Sequence, residues 1–208
     1  MIKLIIKHFF LICLLLMGGT FYYLTLTVPG MQTNVQIVNY LFPEKLHIGS
    51  VQGTLFANFT LQDISWKNDS QEIHIPSITI AWKPSGLLYH KLIINNIIID
   101  HAAVSFPQIP AASDSNAGQT NYLAWLKNIE IREAHFNQIS VKLADADITL
   151  DGTLQKNWNM QWRANIPKIN TFIANSTGSF STFGRVTGPF MTPTIQTTLQ
   201  GKNLSYAD

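Results

Sequence analysis

The chain has almost no cysteine and little charge of either sign. Its one cysteine, Cys13, lies in an apolar run near the start of the 208 residues. The rest can therefore form no internal disulfide and holds no thiolate metal site or thiol nucleophile. Charged residues make up 12% of the chain against 46% hydrophobic, an apolar balance for something bathed in water, so apolar surface must be matched by another partner. There are 14 Lys+Arg and 12 Asp+Glu. Removing Lys3 and Lys7, which precede the apolar run, leaves 12 against 12 and a formally neutral remainder. That excludes the basic footprint of a nucleic-acid binder. A hydrolase constellation is also missing. His47, His74, His90, His101 and His135 have no nucleophile and orienting group beside them in the pattern, and they read as solvated strand histidines.

What is present begins with Phe9 to Leu26, without a formal charge. At about 1.5 Å per helical residue this run reaches roughly 27 Å, and a start at Leu4 completes a crossing of the roughly 30 Å bilayer core. Lys3 and Lys7 ahead of it favour a cytoplasmic N-terminus, with Val28 to Asp208 on the far side, and Phe21, Tyr22 and Tyr23 suit the far interface. The rival is a cleaved signal peptide. It fits poorly, because the small-residue patch Met17-Gly18-Gly19-Thr20 is followed by more apolar residues where a cleavable peptide would turn polar. A buried core helix is the third reading, and the length argues against it.

Val28-Pro29-Gly30 predicts a break. Met31, Val35, Val38 and Leu41 or Phe42 then recur at helical spacing, giving a short amphipathic helix before Pro43 that lies on the membrane surface or plugs the end of a following domain. From Leu46 the period is two. Ile48, Leu55, Phe59, Leu61, Ile64 and Trp66 alternate with polar residues. Ile73 and Ile75 share one parity and Ile78, Ile80 and Trp82 the other, so Pro76-Ser77 reads as a bulge or edge position that keeps one face apolar. Leu92 to Phe106 is one long extended stretch, in which Ile97, Ile98 and Ile99 imply burial on both faces or a second bulge. Pro107 to Gln119 predicts a poorly ordered loop and Tyr122 to Leu126 a helical turn. Strand patterns then resume, with Asp151-Gly152 and Lys156-Asn157 as the clearest turn signals. The stretch from Gly178 reads as two or three strands split at Gly188-Pro189 and Thr192-Pro193. No helical pattern after Phe42 is long enough to cover such a sheet, which leaves a sandwich, a barrel or an open sheet curled on itself.

The order of these features resembles the TamB family, inner-membrane subunits of the translocation and assembly module. The resemblance is carried by Ile48-Gly49-Ser50-Val51-Gln52-Gly53, by Leu61-Gln62-Asp63-Ile64-Ser65-Trp66, by Leu92 to Asp100, and by Gly184-Arg185-Val186-Thr187-Gly188-Pro189 leading to Pro193-Thr194-Ile195. The family is similar to the AsmA-like and bridge-like lipid-transfer proteins, whose sheets form a gutter lined by apolar side chains. What the resemblance implies is a mainly β fold: a transmembrane helix and a short amphipathic helix, followed by an elongated, curled antiparallel β-sheet. The implied division is an anchor (1–27), the amphipathic helix (28–43), a first gutter segment (44–106), a flexible loop (107–121) and a second gutter segment (122–208). The pattern is still running at Leu204 to Asp208, as expected of the amino-terminal piece of a longer chain.

The lining expected from the resemblance is Ile64, Trp66, Ile73, Ile75, Ile78, Ile80, Trp82, Ile97, Ile99, Val104, Ile139, Val141, Leu143 and Ile148. The implied cargo is phospholipid moving between the inner and outer membranes, and the implied setting is the Gram-negative inner membrane with most of the chain in the periplasm. The alternative is a scaffold that helps an Omp85-type outer-membrane barrel in protein assembly or secretion. No cofactor, no metal and no catalysis are expected. Asp145 and Asp147, two apart, would make only a weak hard-cation site if they shared a strand face, and a solvated outer face explains them better. The Asn-x-Ser/Thr matches at Asn58, Asn68, Asn175 and Asn203 are expected by chance in so Asn- and Ser-rich a chain. Trp66, Trp82, Trp158 and Trp162 suit a sugar- or lipid-contacting set, or simply aromatic filling of a sheet's core face.

Overall fold

A computed structural model describes residues 2–68, 70–106 and 129–206. The helix α1 (Ile2–Leu26) contains a stretch, Lys7–Leu26, long and apolar enough to cross a membrane, with 6% of its most apolar window buried against the rest of the protein. The break comes one residue earlier than Val28-Pro29-Gly30. Thr27 caps α2 (Val28–Leu41) through its side-chain oxygen, which accepts from Gly30 N at 3.0 Å, and Pro29 lies in the first turn, where its missing N–H costs nothing. Gly30 is there because the two helices nearly touch. A Cβ at that position would lie 1.8 Å from the carbonyl oxygen of Tyr23.

Mainly strand follows, 58% of the chain, in one large curled sheet. The strands are β1 (Leu46–Gly53), β2 (Asn58–Lys67), β3 (Glu72–Lys83), β4 (Leu92–Asp100), β5 (Ala103–Phe106), β6 (Ile129–Ile131), β7 (Ala134–Leu143), β8 (Ala146–Leu154), β9 (Asn157–Ile166), β10 (Ser176–Pro189) and β11 (Thr194–Tyr206). Their order across the sheet is β1-β2-β3-β4-β7-β8-β9-β10-β11, with β5 and β6 extending β4 and β7 at opposite ends. Pairing is antiparallel except at one seam. There β4 and β5 run parallel to β6 and β7, with Ile97 opposite Ala134 and Val104 opposite Val141. A parallel pair needs a crossover of a dozen or more residues, and residues 107–128 make that connection. The predicted loop and helical turn fall within that segment, outside the described residues. Both predicted gutter segments thus enter a single sheet.

Two turn expectations are corrected. Asp151-Gly152 lies in the middle of β8, and the reversal before β8 is Ala144-Asp145, where Ala144 adopts φ 49°. The Asp-Gly signal marks a local distortion, since Gly152 has φ 144° and sits opposite Phe136 where the β7–β8 register shifts. The next reversal is at Gln155-Lys156, one residue earlier than the Lys156-Asn157 signal.

Pro76 is no edge residue, because β3 pairs on both sides. It lies in a transverse row of irregular positions. Counting along the registers, Gly49, Asp63, Pro76, His101 and Gln138 fall side by side from β1 to β7. Asp63, His101 and Gln138 have φ of 53°, 54° and 54°. A left-handed residue within a strand interrupts the alternation of sides, so residues three apart across it project to the same face. The hydrophobic cluster bears this out. Ile48 and Val51 are both buried against Met31 and Val35 of α2, and Ile64 and Leu61 both pack on that cluster. Because each strand of this row carries the extra residue at one register, pairing is undisturbed until β8, which lacks it. The mismatch is absorbed in the register shift between Phe136 and Ile139.

Helix α2 also closes the first edge of the sheet. The Asn39 side chain accepts from Ile48 N and donates to Ile48 O, both at 2.9 Å, in the manner of a neighbouring strand. That removes the outward-facing donor and acceptor by which an edge recruits another chain.

Candidate functional site

Directly opposed residues in a sheet share a face, so the registers sort the side chains. One row runs Trp66, Ile73, Val104, Val141, Ile148 and Ala164. The next runs Ile64, Ile75, Ile139, Leu150 and Trp162, with Ala102 in line between Ile75 and Ile139. Beyond the irregular row come Leu61, Ile78, Ile99, Phe136, Gly152 and Met160, then Phe59, Ile80, Ile97, Ala134, Leu154 and Trp158. Trp82 and Leu143 extend the face at its two rims, with Trp82 two residues beyond Ile80 and Leu143, two beyond Val141, paired to Ala146. All fourteen residues expected to form a lining are thus brought to one face. Sequence reasoning missed Leu61, Phe59, Phe136, Leu150, Leu154 and Met160 on the same face; each stands two residues from a neighbour in the same pattern, which was the available signal.

The other face is polar. Thr60 and Thr79 meet there at 2.9 Å, and the row through Thr79 continues to Ile98 and His135. Ile97-Ile98-Ile99 is thereby explained: the outer two lie on the apolar face and Ile98 on the polar one, with a bulge just before them where Ala81/Trp82 shifts register against β4. A cavity of about 940 Å³ opens on this polar face, between two rows that include Ser140, Thr149 and Arg163 on one side and Asp151, Gln161 and Arg185 on the other.

Coverage of the apolar face is uneven. Over β1 and β2 it is packed beneath Met31, Val35 and Val38, which selects the plug over the surface-lying role for α2. From β3 onward no described helix lies on it, since the other helical pieces among the described residues are the short 3₁₀ segments Pro84–Tyr89 and Ile169–Thr171. The lining residues from Ile73 to Ile148 are accordingly half-buried. On β11 the face is open, with Ile195 and Leu199 64% and 62% exposed. Trp66, Trp82, Trp158 and Trp162 all lie on this side. The ring of Trp162 rests on Gly184, where a Cβ would meet it at 2.2 Å, and Trp158 stacks on Phe190 at 5.5 Å.

The candidate chemical groups stay scattered. His47 and His74 are exposed on β1 and β3, and His90 and His101 occupy left-handed positions. His135 meets Glu133, Nε2 to Oε1 at 2.8 Å. Hydrogen bonds from His135 and Gln155 hold the Glu133 carboxyl below its ordinary range. Asp145 is in a turn, accepting from Thr171 at 3.1 Å, whereas Asp147 is in β8, so the two do not share a strand face. Among the described residues no three His, Cys, Asp or Glu side chains gather as a metal site would require.

A family model described as "TamB, N-terminal domain" matches residues 15–151 and 128–208. Among curated proteins, none matches the chain.

Proposed function

Because this chain belongs to the TamB N-terminal-domain family, we propose that it is the membrane-proximal part of a lipid conduit. In this reading α1 crosses the inner membrane with its N-terminus in the cytoplasm, the sheet stands in the periplasm, and phospholipid acyl chains lie along the apolar face on their way between inner and outer membrane. The supporting observation is the single continuous apolar face, closed by α2 at β1–β2 and bare of any described helix from β3 to β11. Acyl chains match such a surface without hydrogen bonds or catalysis, because burial of apolar area is non-directional. The polar-face cavity, with Arg163, Arg185 and Asp151 around it, is unsuited to acyl chains. Mass spectrometry of the full chain purified in a mild detergent tests the reading. Co-purifying phospholipid, lost on Ile78→Asp and Ile139→Asp substitution in protein that keeps its β-sheet circular dichroism, is the expected result. Folded protein without lipid would overturn it.

A second reading, a scaffold acting with an Omp85-type barrel, is favoured by one feature. The outer edge of β11, thirteen residues long and exposed throughout, has no partner among the described residues and offers its N–H and C=O groups to another strand. A proline placed in β11 would disturb the strand together with any contact it makes, so the test is strand-to-strand disulfide trapping from single β11 cysteines. Efficient trapping to a barrel, in protein that carries no lipid, would favour this reading.

A further inference from the structure

The sheet touches the membrane helix at a defined rim. Phe56, in the turn between β1 and β2, packs edge-on against Phe21 of α1 with ring centroids 6.2 Å apart, and Phe56 N donates to Thr25 O at 3.4 Å. Phe21 lies five residues before Leu26, about 7.5 Å of helical rise. The turn therefore reaches back along the last part of the apolar span. The same rim carries the next turn on that side. Trp82, at the end of β3, donates from Nε1 to Leu55 O at 2.6 Å, and the chain then enters the 3₁₀ segment Pro84–Tyr89 before returning as β4. Leu87, Leu88 and Tyr89 stand 54%, 79% and 76% exposed at its tip. Lys83 and Lys91, both exposed, bracket them.

Three large apolar side chains in a row have no partner in the sheet's hydrophobic cluster, and the segment is held to its rim independently of them. His90 N and Lys91 N donate back to Leu87 O and Gly86 O at 3.0 and 3.1 Å, and Gly86 is buried. The apolar tip is thus presented on a fixed base. An aromatic and two leucines flanked by cations suit a bilayer interface, where acyl chains receive the leucines, the headgroup level receives the tyrosine, and anionic lipids attract the lysines.

We propose that the Leu87-Leu88-Tyr89 turn is a second membrane contact, which rests this rim of the sheet on the bilayer beside α1. The occupant is the lipid surface, assigned by continuity with the contact that Phe56 makes on the span. Its consequence is that the apolar face of β3 and β4 opens directly at the bilayer rather than above it. The proposal rests on α1 crossing the membrane, and the experiment separates the two.

Full-length protein with Cys13→Ser would be reconstituted in vesicles of phosphatidylethanolamine and phosphatidylglycerol. Single cysteines at positions 16, 70 and 88 would carry an environment-sensitive fluorophore, with nitroxide-labelled lipids as quenchers. Position 16 lies within the span. Position 70 lies in the turn between β2 and β3 at the opposite rim, about 30 Å away along β2 at roughly 3.3 Å per residue. The expected result is strong quenching at 16 by deep quenchers, quenching at 88 by shallow quenchers several-fold above that at 70, and a loss of most of that excess in Leu87→Ser/Tyr89→Ser protein. Quenching at 16 with 88 no different from 70 overturns the second contact while leaving the anchor intact. Absence of quenching at 16 overturns the anchor, and the second contact with it.

Discussion

Replacing Gly30 by alanine should uncouple the membrane helix from the sheet. An added Cβ would meet Tyr23 O at 1.8 Å, Tyr23 C at 2.5 Å and Leu24 Cα at 2.8 Å, all backbone atoms with no rotamer to escape into. A carbon–oxygen contact normally begins near about 3.3 Å, so α1 and α2 must part by roughly 1.5 Å. Three hydrogen bonds span that junction: Gly30 N to Thr27 Oγ1 at 3.0 Å, Asn34 Nδ2 to Leu24 O at 2.8 Å, and Phe56 N to Thr25 O at 3.4 Å. The last is long and contributes least. Losing or stretching the first two costs about 1 kcal/mol each, so the junction should weaken by about 2 kcal/mol, roughly thirtyfold in its open-to-closed ratio. The assay is oxidation of a Phe21→Cys/Phe56→Cys pair in Cys13→Ser protein. Gly30→Ala should cut the disulfide formed at short times severely, whereas Gly18→Ala and Gly19→Ala, which meet nothing within 4 Å, should leave it unchanged. Equal trapping in Gly30→Ala and the parent would refute the close-approach argument.

Two other substitutions test the sheet's construction. Asn39→Ala leaves Ile48 N and O without their side-chain partner; stability in urea should fall by about 1–2 kcal/mol, and an unchanged midpoint would show that water serves the edge equally well. Asp63→Gly should be neutral or mildly stabilising and Asp63→Val destabilising by about 1–3 kcal/mol, because φ 53° suits glycine and strains a β-branched side chain; the reverse order in chemical denaturation would argue against the left-handed row.

Much of this fold was legible because period two is a local signal. The helix break, the plug face of α2 at Met31, Val35 and Val38, the long strands and the parity change at Pro76 all follow from spacing that a few residues reveal. The reason for the parity change was not legible. It lies in Asp63, His101 and Gln138, which become a row only once registers are set, and nothing in a single strand announces a left-handed residue that is not glycine. The parallel seam was likewise hidden, since strand pairing across residues 107–128 leaves no mark on either strand's own pattern. Asp151-Gly152 misled for the converse reason: a dipeptide favoured in tight turns serves equally where one strand must absorb a neighbour's extra residue. The lining was legible as one face at the level of position, but its partner is a matter of chemistry outside the chain.

The conduit reading stands or falls on what touches the two sides of β3. A photoreactive amino acid at Ile78 projects from the apolar face beside Leu61 and Ile99, and one at Thr79 from the polar face beside Thr60 and Ile98. In cells grown with labelled phospholipid, crosslinking should be strong from 78 and at background from 79, with circular dichroism confirming that both proteins keep the sheet. Equal lipid crosslinking from the two positions, or none from either, would contradict a lipid-bearing apolar face.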